Sequence, residues 1–306
     1  MTTPIEKKIR GTGTAIVTPF TKNGDIDYTA TEKLLGYQIQ GGVEMIVPLG
    51  STGENPTISA EERTEFLRFV IEFVDRRALV IAGTGSNDTR LAIAQTEEAF
   101  QHGADAALVV TPFYNKPSPD GLFEHFQHVA DVGFPVVLYN VPGRTGQNMN
   151  AETTLRCAEI ENVVAIKEAS ANFEQCMEII RNAPRGFYLL SGEDNLTLPL
   201  MSLGAKGVIS VTANVVPQEF TRMVRFAADG QFKEAKAIHY ELLELMKVMF
   251  IESNPGPAKA ALAMMGIIGE YLRLPLVPLR PENKKKVREV LQQLDAVVME
   301  EMADKD

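Results

Sequence analysis

Lys167 closes the apolar run Val163-Val164-Ala165-Ile166, and a lysine in that place has two options. It reaches out to water, or it works as a neutral amine, because burial disfavours the ammonium form. A desolvated amine attacks a ketone carbonyl and forms an imine. Once protonated, the imine draws electrons from the adjacent carbon, which loses a proton and becomes an enamine. The enamine adds to an aldehyde or, in reverse, is released by carbon–carbon cleavage. These proton transfers need a positioned donor and acceptor. A tyrosine phenol can provide them if neighbouring hydroxyls relay its proton. A 2-oxo acid would suit such a site, its carboxylate meeting threonine hydroxyls and backbone N–H groups. A strand-end lysine taken alone is more often structural than reactive, so its company decides.

That company is set by a repeated pattern of elements. Short apolar segments occur at Thr14–Val17, Val43–Leu49, Ala78–Ala82, Ala106–Val110, Pro135–Tyr139, Val163–Lys167, Phe187–Leu190 and Gly207–Val211. Most are too short for helices and are bounded by Gly, Pro or Asp, as buried parallel strands are. Amphipathic segments of helical length lie between them. Ser59 and Glu62 make a capping-box pair ahead of one. Gly41, Gly103, Gly133 and Gly204 stand where helices should stop, and Pro217 suits a first turn. Eight strand–helix units predict an α/β fold, a (β/α)8 TIM barrel over residues 1–225. A doubly wound sheet competes, but Gly83-Thr84-Gly85 lacks the third glycine of a dinucleotide loop. Residues 226–306 predict a C-terminal helical extension, with helices near 231–252, 256–270 and 281–302. Met246, Met249, Met264 and Met265 read there as packing filler.

Barrels of this kind build their sites on the C-terminal ends of the strands. Those ends carry Gly50-Ser51-Thr52-Gly53-Glu54, Thr111-Pro112-Phe113-Tyr114-Asn115, Tyr139 to Gly146 with Arg144, Lys167-Glu168 and Ser191-Gly192-Glu193. One amine, several hydroxyls and one guanidinium would share a single mouth. No His or Cys falls on these ends, which argues against triads, zinc sites and metal-dependent aldol chemistry. His125 and His128, one helical turn apart, read as a solvated face of an outer helix. Cys157 and Cys176 fall in expected helices and suggest no disulfide framework.

The 306 residues, 45% apolar and 23% charged, have the composition of a soluble globular protein with a substantial core. A net charge of −10 argues against nucleic acid as a partner, and Lys284-Lys285-Lys286 reads as a solvated helix face. Met1 to Gly11 carries no apolar stretch of signal-peptide length, and no run approaches the ~18 apolar residues of a membrane span. The expectation is a cytoplasmic protein without a membrane partner.

At these residues the chain resembles the dihydrodipicolinate synthase and N-acetylneuraminate lyase family of class I aldolases. The resemblance runs from Gly13-Thr14-Ala15-Ile16-Val17-Thr18-Pro19-Phe20 to Asn254-Pro255. The blocks Gly-Ser-Thr-Gly-Glu (50–54), Tyr-Asn-Val-Pro-Gly-Arg-Thr-Gly (139–146) and Ile-Lys-Glu-Ala (166–169) stand in the family's order and spacing. The resemblance implies that Lys167 forms a Schiff base with pyruvate and that Tyr139 transfers protons. Ser51 would link Tyr139 to Tyr114, which would enter from a neighbouring subunit. Thr52 would hold the pyruvate carboxylate, and Gly192 and Ile209 would line the bound ketoacid. No metal or other cofactor is implied. The active unit would be a homo-oligomer, at least a dimer and commonly a tetramer built as a dimer of dimers.

The synthase branch pairs pyruvate with L-aspartate 4-semialdehyde on the route to lysine and diaminopimelate. Its mark is an arginine that meets the semialdehyde carboxylate, and Arg144 matches it, as does the segment Gly207 to Asn214. Ser51 departs from the threonine usual in synthases and resembles the lyase branch. Arg144 carries more weight, because a charge chooses a substrate more sharply than one methyl group does. The family's lysine feedback site also departs. Asn87 is present, but Leu91 replaces an acid, Ala60 a histidine, and Phe113 stands beside Tyr114. Weak or absent lysine inhibition is expected. The alternatives are another pyruvate-dependent aldolase or dehydratase acting on a sugar-derived 2-oxo acid, and a non-catalytic barrel that keeps the fold as a binding module.

Overall fold

Short apolar segments cannot satisfy their own backbone polar groups, and here they do so by pairing with one another. A computed structural model of the chain describes Ile5 and residues 8–294. The strands are β1 (Gly11–Ala15), β2 (Met45–Val47), β3 (Leu79–Gly83), β4 (Ala106–Val110), β5 (Val136–Asn140), β6 (Val163–Glu168), β7 (Tyr188–Ser191) and β8 (Gly207–Ser210). Each pairs with the next, and β8 pairs in parallel with β1, so the sheet closes into the expected (β/α)8 barrel.

The helices around it are α1 (Tyr28–Gln40), α2 (Ala60–Val74), α3 (Thr89–His102), α4 (Pro119–Ala130), α5 (Pro142–Thr145) and α6 (Ala151–Ala158). They continue with α7 (Phe173–Asn182), α8 (Thr197–Ser202) and α9 (Pro217–Ala228). Their starts are chemically marked. Asp27, Asp88, Ser118, Asn150 and Asn172 each cap a helix with a side-chain oxygen, a contact worth about 1 kcal/mol. Ser59 and Glu62 form the capping box at α2.

Strand periodicity assigns each side chain a direction. In β5, Val137 and Tyr139 join the barrel interior, while Val136 and Leu138 face the helices. In β6, Ala165 is interior and Ile166 faces out. Lys167 therefore points inward and Glu168 outward. That single alternation separates the amine from the carboxylate next to it in sequence.

The edges of some elements differ from the sequence reading. β1 starts at Gly11 instead of Thr14, because Thr12 and Thr14 are fully buried strand residues despite their hydroxyls. Thr14 Oγ1 donates to Gln38 Oε1 of α1 at 2.8 Å. Past the barrel lie α10 (Phe232–Val248), α11 (Gly256–Met264) and α12 (Pro281–Gln293). α11 stops short of residue 270, and Gly266 just beyond it takes φ +67°, a turn conformation glycine adopts freely. The part of the expected third helix beyond residue 294 lies outside the described residues. Residue 225 falls within α9, which packs on both β1 and α10. Met246 and Met249 are buried.

His125 corrects the sequence reading. It is not on a solvated face; it is 4% exposed, and its Nδ1 lies 2.9 Å from Thr89 Oγ1 of α3. α4 packs against α3 on this side, which covers the ring, while His128 stays exposed. Burial, with a smaller push from His128, lowers His125 to about 4. An unfolded histidine titrates near ~6.5, so the unfolded chain binds the extra proton first. Stability is expected to fall by about 3 kcal/mol as pH drops from roughly 6.5 to 4. Urea midpoints measured across that window should drop less in His125→Asn than in the native chain. Equal slopes would contradict the assignment.

Candidate active site

The C-terminal strand ends converge on a cavity that opens to solvent. Its wall includes Gly50, Ser51, Thr52, Tyr139, Arg144, Lys167 and Gly192. Six of the eight residues singled out from the sequence thus share one space.

Tyr139 and Lys167 are register partners on β5 and β6. Both point inward, and Lys167 Nζ sits 4.3 Å from the centroid of the Tyr139 ring. They are 7% and 5% exposed, so the amine meets the cavity and little bulk water. The outward neighbours brace this pair from behind. Asn140 Nδ2 donates to both oxygens of Glu168 at 3.1 and 3.0 Å. Ser170 N and Gln175 Nε2 also donate to that carboxylate, at 2.7 and 3.0 Å. Burial still raises Glu168 above the ordinary carboxylate range.

Ser51 and Thr52 lie on a 3-10 turn, Ser51–Gly53, directly after β2. Thr52 Oγ1 accepts a hydrogen bond of 2.9 Å from Asn254 Nδ2. Arg144 stands on α5, exposed at the mouth, and its Nη2 donates to the Asn254 carbonyl at 3.3 Å. Asn254 thus joins the threonine to the arginine. Gly192 is required by close approach, since a Cβ there would lie 2.6 Å from the Cβ of Ala169.

Two sequence-derived positions fall elsewhere. Ile209, on β8, is fully buried in the interior cluster that contains Tyr139 and Leu190, and Val211 takes the cavity wall. Val211 lies just past the end of β8 with helical backbone, so the wall is reached beyond the strand that carries Ile209. Tyr114 does not line this cavity; it is 89% exposed, with φ +73°.

The structure adds residues that sequence reasoning passed over. The sequence marks Asn254 only as an end of the family resemblance, with no role attached. Its Oδ1 is buried without a partner. Glu193 lines the wall, and burial followed by the adjacent Asp194 raises it, against the pull of Lys167 and Arg144. Asp194 is itself buried and accepts from Thr212 N and Oγ1 at 2.8 and 2.6 Å. It ties the end of β7 to the loop after β8. Among the described residues, no group of three or more His, Cys, Asp or Glu is arranged to hold a metal ion. The arrangement offers an inward amine, a phenol against it, two hydroxyls and a guanidinium at the entrance.

Comparison with known proteins places this geometry. Residues 8–294 match the Dihydrodipicolinate synthetase family. The 4-hydroxy-tetrahydrodipicolinate synthase of Parabacteroides distasonis is 47% identical over 288 residues, covering 94% of this chain and 97% of that protein. That of Syntrophotalea carbinolica is 49% identical over 282 residues, covering 92% and 96%. The crystal structure of the chloride-inhibited dihydrodipicolinate synthase of Acinetobacter baumannii, complexed with pyruvate, superposes with a TM-score of 0.93. It is 41% identical and covers 94% of this chain and all of its own. With residues 8–294 matched by the family model and relatives 47–49% identical over nearly their whole length, the chain belongs to the dihydrodipicolinate synthetase family.

Proposed function

We infer that the protein condenses pyruvate with L-aspartate 4-semialdehyde to 4-hydroxy-tetrahydrodipicolinate, in lysine and diaminopimelate biosynthesis. The observation that carries this reading is the inward Lys167 against Tyr139 in a cavity whose mouth holds Arg144. Lys167 Nζ attacks C2 of pyruvate; water leaves and an iminium forms. Loss of a C3 proton gives the enamine, whose carbon adds to the semialdehyde aldehyde. The amino group of the semialdehyde then displaces Lys167 and closes the ring. Tyr139 carries the protons, with Ser51 passing them on. Thr52 and the backbone around it hold the pyruvate carboxylate, Gly192 leaves room for the ketoacid beside Lys167, and Ile209 supports that wall from below. Arg144 takes the semialdehyde carboxylate.

Tyr114 completes the relay from a partner subunit in this reading. Its exposure in its own chain supports that role, and the active unit is a homo-oligomer, a dimer of dimers. Among the described residues no helix is long and apolar enough to cross a membrane. The test is a rate assay with pyruvate and L-aspartate 4-semialdehyde, coupled to reduction of the product and set beside a panel of sugar-derived 2-oxo acids. Turnover only with the panel would replace this function with the sugar-acid alternative.

L-Lysine is expected to inhibit weakly or not at all. Leu91 is 48% exposed where a carboxylate would meet the lysine ammonium, and Phe113 is 37% exposed. The Asn87 carbonyl is engaged by Asn115 Nδ2 at 2.7 Å. Without a charged partner the ammonium gains little on leaving water. Initial rates titrated with L-lysine should show no half-inhibition below about 1 mM, the affinity scale of a weak site.

A further inference from the structure

The turn that presents Ser51 and Thr52 is held by its own residues only through two backbone bonds, Gly53 N to the Gly50 carbonyl at 3.0 Å and Glu54 N to the Ser51 carbonyl at 3.2 Å. It is flanked by two non-glycine residues in the left-handed region, Leu49 at φ +61° and Glu54 at φ +57°. Such backbone is unfavourable for L-residues and persists where its surroundings over-determine it. Three distant segments supply the contacts. Thr18 Oγ1 donates to the Gly53 carbonyl at 2.7 Å. Asn254 Nδ2 donates to Thr52 Oγ1. Lys259 Nζ lies 2.5 Å from Glu54 Oε1.

The third contact differs in kind. Both side chains are 0% exposed, so a full ion pair sits out of water. Lys259 belongs to α11, the helix that follows Asn254. Its Nζ also donates to the Tyr271 carbonyl at 2.8 Å and lies 4.1 Å from the Phe20 ring centroid. Glu54 Oε2 accepts from Arg273 N at 3.1 Å. Burial lowers Lys259 to about 8 against the opposing pull of Glu54. Apolar residues of equal volume often fill such a space with equal or greater stability. What a charge pair adds is direction, and here it is aimed at the residue that ends the turn.

We propose that the Glu54–Lys259 pair is a positioning clamp that pins the Ser51–Gly53 turn to α11 and so aims both hydroxyls into the cavity. Neither residue reaches the cavity wall; they act through the turn. The C-terminal helical region thereby forms part of the frame of the active site. This proposal rests on the reading that the two hydroxyls serve pyruvate.

The decisive variant is Glu54→Gln/Lys259→Met. It removes both charges at nearly constant volume and leaves no buried charge unpaired, whereas a single neutralisation strands the other charge. Its thermal midpoint should stay within a few degrees of the native protein. KM for pyruvate should rise roughly tenfold or more, and borohydride trapping at low pyruvate should slow in proportion. KM for the semialdehyde should change by less than about twofold, because Arg144 stands on α5, outside the turn. Partial unfolding would lower apparent kcat and leave KM alone, so the split separates positioning from mere stability. An unchanged pyruvate KM, or a loss confined to kcat with a lowered midpoint, overturns the clamp. Absence of trapping in the native protein would overturn the Schiff-base reading and the clamp together. Normal native trapping beside an unimpaired double variant would overturn the clamp alone.

Discussion

Lys167→Ala is expected to lower condensation by roughly 10⁴-fold or more, the scale on which loss of a covalent nucleophile is felt. Among the described residues two lysines are buried, Lys167 and Lys259, and their settings assign them different work. Lys259 is paired with Glu54 at 2.5 Å and closed off from the cavity. Lys167 forms no ion pair among the described residues, lines the cavity and faces the Tyr139 ring. An amine held in no close ion pair and open to the cavity is the one placed to attack a carbonyl. The substitution should spare the fold, since Ala165 two residues earlier on the same interior face is already tolerated there. Borohydride with pyruvate should leave a 1-carboxyethyl group on the Lys167 amine of the native protein, and nothing on the variant. A variant that kept a tenth of native turnover would end the Schiff-base account.

Arg144→Ala should fail at the second substrate instead of the first. A carboxylate loses its water as it enters the mouth, and a guanidinium repays that with paired, charge-assisted hydrogen bonds. Removing it should cost about 3 kcal/mol, or roughly a hundredfold in kcat/KM for the semialdehyde. Pyruvate trapping on Lys167 should stay within about twofold, because Arg144 lies on α5 and Lys167 on β6. Arg144→Lys should recover only part of the loss, since an ammonium lacks the planar fork that meets both carboxylate oxygens. If the alanine variant used the semialdehyde normally, the strongest residue-level reason for the synthase assignment would be gone. Steady-state kinetics with each substrate varied in turn distinguish these results.

Much of the catalytic interior was legible before any coordinates. Strand ends could be read from short apolar runs, and a barrel gathers its strand ends at one face. Lys167, Tyr139, Ser51, Thr52, Arg144 and Gly192 therefore meet where their positions along the chain imply. Lys167 and Glu168 were read as sharing one mouth, and the structure parts them, Lys167 inward and Glu168 outward. Strand edges were less legible at β1, where Thr12 and Thr14 are buried, Thr14 through a partner on α1, and the apolar pattern is silent.

What the sequence by itself determined, then, is local: eight strand–helix units, their caps, and the residues carried on each strand end. Tertiary structure decided depth and pairing. Ile209 and Val211 belong to one apolar run, yet the strand ends between them, leaving Ile209 in the interior and Val211 on the wall. His125 carries a helical spacing that reads as surface, and contact with α3 buries it. Asn254 meets Thr52 across 202 residues of chain, and Lys259 meets Glu54 across a comparable span. No periodicity encodes such a meeting. Burial and charge pairing depend on what the rest of the fold brings alongside, so the inward amine can be read from one strand, while the clamp on its neighbouring hydroxyls exists only once barrel and C-terminal helices have packed.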